Sequence, residues 1–63
     1  MHEHESQLSS AATTLSELTQ RLAAIANEYR DSDREDITID LDEIERSLRS
    51  AGRRLNRLLR RMA

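Results

Sequence analysis

Apolar side chains recur along the chain in two long tracks separated by a charged interval. In the first, Leu8, Ala11, Leu15, Leu18, Leu22, Ile25 and Tyr29 follow one another at alternating steps of three and four residues. In the second, Leu41, Ile44, Leu48, Ala51, Leu55, Leu58 and Met62 repeat that alternation without a miss. Such spacing is what a helix shows when one stripe of it is laid against a partner. Ala12, Thr19 and Ala26 lie beside the first stripe, and Gly52 and Leu59 beside the second. The small residues beside the first stripe widen it toward a bundle pattern and allow close approach, and near Leu58 and Leu59 the second stripe is wider than one neighbouring helix covers.

Between the tracks, the segment from Arg30 to Asp36 holds no apolar residue and reads as the connection. Ile37 to Asp40 then alternates like a short extended piece. Asp40 has the chemistry of a helix N-cap, with Glu43 as its capping-box partner and Ile39 and Ile44 in the staple positions. These signals predict a first helix over about residues 6–29, a charged loop over about 30–40 and a second helix over about 41–62. A short connection folds the two back on each other. Two registers are sterically reasonable. One sets Tyr29 against Ile44 and Leu15 against Leu58, and the capping signals favour it. The other closes a turn tighter, with Tyr29 against Ile37 and Leu15 against Ala51.

The predicted fold is all-α: an antiparallel helical hairpin, a single domain over the 63 residues. A chain this short hides little apolar surface on folding, and small domains make up the deficit with disulfides, a metal or self-association. Cysteine is absent, which leaves association as the leading expectation: two hairpins forming a four-helix bundle, or antiparallel coiled coil. The expected seam consists of Leu15, Leu18, Leu22, Ile25, Ile44, Leu48, Ala51, Leu55, Leu58 and Leu59.

Charge is sorted along the chain. Residues 28–45 carry nine acids against Arg30 and Arg34, whereas residues 46–63 carry seven arginines and no acid. The overall net charge of −2 conceals this dipole. Acids early and bases late in the second helix complement its macrodipole, and an outward charged face keeps a helix in solution. If second helices of two copies lie antiparallel, the acids between Asp40 and Glu45 come beside the partner's arginines between Arg54 and Arg61. Exposed pairs of this kind select orientation more than they add affinity. The competing use of the charge is polyanion binding along a ridge of Arg46, Arg49, Arg53, Arg57 and Arg60, directed at RNA or DNA phosphates. Base-reading chemistry is thin there, with Asn56 the one amide and no aromatic nearby.

Catalytic chemistry finds no support in the sequence. The only histidines are His2 and His4, no glycine-rich phosphate loop occurs, and the serines have no partner base. His2 and His4 are spaced two apart, which does not put both imidazoles on one helical face, so no metal is expected there. Asp31, Asp33 and Glu35 imitate the start of a calcium loop, but Asp36 stands where glycine is needed and Asp42 where glutamate is wanted. No cofactor is expected. Leu48 to Met62 segregates arginine from leucine as a membrane-surface helix does, without an aromatic anchor. No apolar run approaches the roughly 20 residues of a membrane span, and the N-terminus lacks the features of a secretory signal, so a cytoplasmic location is expected. The functional expectation is a non-enzymatic protein–protein interaction module. Its partner is itself, as a homodimer or higher homo-oligomer, or, as a small bacterial regulator, a helix of another protein, with nucleic-acid binding as the alternative.

Overall fold

Proline is absent, glycine occurs once, and both apolar tracks keep helical period, so nothing in the sequence interrupts a helix except the charged interval. The computed structural model describes residues 2–63, and in it α1 spans His2–Arg30 and α2 spans Glu35–Met62. The two helices pack against each other as a hairpin whose Cα trace extends 49 × 14 × 11 Å. Glu3 and Glu5 lie in the first turn of α1, and Arg60 and Arg61 in the last turn of α2, each opposite in sign to the local end of the helix dipole.

Helix α2 begins at Glu35, six residues ahead of the Leu41 start that the capping signals predict. Asp40 is therefore an interior helical residue and no N-cap, and the extended piece at Ile37–Asp40 is helical. Two causes are visible. Glu35 and Asp36 supply the negative charge that the first turn favours. Continuing the helix also brings Ile37 and Leu41 to half-buried positions beside α1. The connection shrinks to Asp31–Arg34 and is closed by its own polar atoms. Ser32 N–H and its hydroxyl both donate to the Tyr29 carbonyl, at 3.0 and 2.7 Å, and the same hydroxyl accepts from Arg34 N–H at 3.2 Å. Arg34 stands at the N-cap without capping through its side chain. Its guanidinium reaches instead to Asp36, at 3.2 and 3.3 Å, and holds that carboxyl below the usual carboxylate range.

A connection this short decides the register. Gly52 lies against Leu15, with 3.7 Å between the position of an added Cβ and Leu15 Cδ2, and Thr19 shares one groove with Leu48 and Arg49. The tighter closure, with Leu15 beside residues 51 and 52, is the one adopted, and the looser register favoured by the capping signals is not. The same 3.7 Å is ordinary van der Waals contact, so Gly52→Ala fits without displacement. Alanine removes the entropic cost of a mid-helix glycine, and the substitution should stabilise the fold by about 0.5–1 kcal/mol in a urea titration. A loss of stability would mean that Gly52 meets something closer than Leu15.

Candidate interaction surface

The two helices do not close on each other through the stripe that the three-four spacing singles out. One row of that stripe does turn inward: Leu8, Leu15, Leu22 and Tyr29 of α1, and Leu41, Leu48 and Leu55 of α2, are half-buried. Its companion on the inside is the flanking row, one position further round each helix. Ala26 is fully buried, Thr19 is 9% exposed and Glu45 7%, while Ala12, Gly52 and Leu59 are half-buried. Small side chains on this row let the helix backbones approach. The polar members are satisfied: Thr19 donates to the Leu15 carbonyl at 2.7 Å, and Glu45 pairs with Arg49 at 2.6 Å, one helical turn on.

The other row of the expected seam is left outside. Leu18, Ile25 and Leu58 are each 41% exposed and Ile44 is 47% exposed; Ala11 and Ala51 are exposed as well. Of the ten expected seam residues, Leu15, Leu22, Leu48, Leu55 and Leu59 line the contact between the helices, and Leu18, Ile25, Ile44, Ala51 and Leu58 do not. The latter recur at seven-residue intervals on each helix, which stacks them along one flank. Ile39, although 58% exposed, falls near the Arg46 and Arg57 direction of the helical wheel and stands apart from this row.

Opposite flanks of the hairpin differ in chemistry. On one side an open groove of about 360 Å³ runs between the helices, lined by Ser16, Gln20 and Ala23 of α1 and by Arg49, Arg53 and Asn56 of α2. Those residues fix which flank of each helix faces that way. The exposed apolar rows, on the reverse flank of both helices, therefore share the other face of the hairpin. Leu18 to Ile25 on α1 and Ile44 to Leu58 on α2 thus form one two-helix apolar surface. Its two rows are centred on Leu18 and Ala51. With Leu15 beside Gly52, Leu18 lies level with about residue 49, so the centres are offset by only about 3 Å along the axis.

The spacing places Ala12, Thr19, Ala26, Gly52 and Leu59 beside the stripes, but it does not single them out as the inner row, because two of its members look wrong for a core. Glu45 is charged and Gly52 has no side chain, yet both recur with Leu59 at seven-residue steps, and that periodicity is the available signal. Among the described residues no helix is long and apolar enough to cross a membrane, and no three potential ligand side chains converge on a metal position; the His2 side chain lies outside the described residues. No protein family, curated protein or solved structure matches the chain.

Proposed function

We propose that the chain is a non-enzymatic self-association module whose exposed apolar face receives a second copy, giving a dimeric four-helix bundle. The observation that carries this reading is the placement of side chains by size. A hairpin adapted to stand alone would gain most by turning Leu18, Ile25, Ile44 and Leu58 inward. This one turns one row of leucines inward together with Ala12, Thr19, Ala26 and Gly52, and leaves Leu18, Ile25, Ile44 and Leu58 outside. That arrangement suits a helix with two neighbours, one in its own chain and one in another.

Surface area supports the same reading. A compact monomer of 7.3 kDa exposes roughly 4,200 Å², whereas this chain exposes 5212 Å². The excess of about 1,000 Å² is close to the ~800 Å² that each partner contributes to a standard interface.

Charge chooses between the two symmetric ways of stacking the faces. With both loops at one end, the acidic stretches of the two chains, each with nine acids over residues 28–45, would crowd together. With loops at opposite ends, α2 lies antiparallel on the partner's α2, and a two-fold axis near Ala51 sets Asp40 beside the partner's Arg61. Each such exposed pair contributes only about 0.2–1 kcal/mol, so the pairs orient the dimer while the leucines and isoleucines hold it. Docking of a helix from another protein on the same face is the competing occupant.

Thermal melting separates the two. Because dimerisation and folding are linked, a tenfold rise in protein concentration should raise Tm by about 5 °C. A Tm independent of concentration would remove the self-association reading.

A further inference from the structure

We infer that the face opposite the apolar one binds the phosphodiester backbone of a nucleic acid along a path that leads from the groove between the helices onto the arginine ridge of α2, a function distinct from self-association. Three adjoining concavities on this side share Arg53. One holds Arg30, Arg46 and Arg49 at the loop-proximal end, one is the groove floored by Ala12, Thr19 and Gly52, and one holds Asn56, Arg57 and Arg60 toward the C-terminus. Together they make a continuous arginine-lined trough that begins between the helices and passes toward the C-terminus onto the outer side of α2, where α2 residues alone line it. From Arg46 to Arg60 it runs about 21 Å at 1.5 Å per residue, enough to follow roughly six phosphates of one strand at about 3.4 Å each.

Its charge is not consumed internally. Among the described residues, Arg49 is the one ridge arginine in an ion pair, with Glu45, and Arg30 is held by Asp42. Arg46, Arg53, Arg57 and Arg60 make no ion pair there and are exposed. The two acids of the trough, Asp42 and Glu45, sit at its loop-proximal end. A polyanion is thereby directed toward the stretch from Arg53 to Arg60.

The floor explains why a backbone fits and a folded protein surface fits less well. Small residues keep it shallow and unobstructed, and Ser16, Gln20 and Asn56 offer hydrogen bonds along the walls. Arginine forks match phosphate oxygens in pairs. Sequence readout is not built in, because the only aromatic of the chain is Tyr29, which does not line the trough, and stacking platforms need aromatics. Binding should be governed by salt and indifferent to base sequence. The trough lies on the outer side of each hairpin, so a second copy on the apolar face leaves it open.

Fluorescence anisotropy with a labelled 20-nucleotide DNA strand and with its duplex, at 50 and 200 mM salt, tests the assignment. Four phosphate contacts predict an affinity loss of roughly 50-fold for the single strand and 150-fold for the duplex between those salts. The arm with the tighter binding identifies the form preferred. Arg53→Gln with Arg60→Gln should lower the salt slope by about two. Arg21→Gln with Arg54→Gln removes the same charge away from the trough, whose lining includes neither residue, and should leave the slope unchanged. Circular dichroism confirms that both variants stay helical, as exposed arginine-to-glutamine changes allow. Absence of an anisotropy change with either probe at 50 mM salt would overturn the assignment. So would equal losses from the two variant pairs, which would reduce the effect to net charge.

Discussion

Leu18→Asp combined with Leu58→Asp is expected to yield a chain that sediments as a monomer and has lost most of its helicity at micromolar concentration. The size of that effect is what makes it informative. Both leucines are 41% exposed in the hairpin, so if the hairpin were the functional unit their replacement would fall within about 0.5 kcal/mol of neutral, as surface substitutions do. In a bundle the same changes place four carboxylates in the contact between the copies. An unpaired buried carboxylate costs several kcal/mol, more than a two-helix chain of this size can absorb. Sedimentation equilibrium and circular dichroism on one sample read both consequences. Ser16→Asp with Asn56→Asp, on the opposite face, supplies the control and should alter neither. Retained assembly in the Leu18/Leu58 variant would show that the apolar face is not where copies meet.

Ala51→Cys is expected to give nearly complete disulfide-linked dimer under mild oxidation. The chain contains no cysteine of its own, so a single introduced thiol reports one distance. In the arrangement with loops at opposite ends, the two-fold axis passes close to residue 51, and the two introduced thiols meet across it. A disulfide needs Cα atoms about 4.4–6.8 Å apart, and alanine-sized layers between antiparallel helices permit that approach. With loops at one end, α2 stacks on the partner's α1, and the thiols face leucines in place of each other. Ser16→Cys, at a position that lines the trough, should stay reduced under the same conditions. Non-reducing gel electrophoresis reads both variants. Efficient linkage of the Ser16→Cys chain, with none of the Ala51→Cys chain, would reverse the assignment of faces.

The period of the apolar residues is sufficient to predict two helices and their return on each other, because no proline and only one glycine compete with helix formation. It does not show which side of a three-residue-wide stripe faces the chain's own second helix. Leu15 and Leu18 obey the same spacing rule, yet one is half-buried in the hairpin and the other faces outward. The choice depends on how closely the helices approach, which is set by Ala12, Thr19, Ala26 and Gly52 acting together. Local capping chemistry misleads at Asp40 for a related reason. Its signature is complete, but helix continuing through it brings Ile37 and Leu41 to α1, and tertiary packing outweighs an N-cap worth about 1 kcal/mol. The arginine ridge is legible as a ridge. That it faces a trough shared with Ser16 and Gln20 of α1 depends on the register, and the register depends on a connection of only four residues, Asp31–Arg34.

Molar mass by light scattering, followed down a dilution series with helicity recorded alongside, distinguishes a dimer whose folding depends on its second copy from a self-sufficient hairpin. A dimer gives a mass twice the 7.3 kDa of one chain at high concentration, with mass and helicity falling together on dilution. A species of one-chain mass that keeps its full helicity when dilute would contradict the dimer.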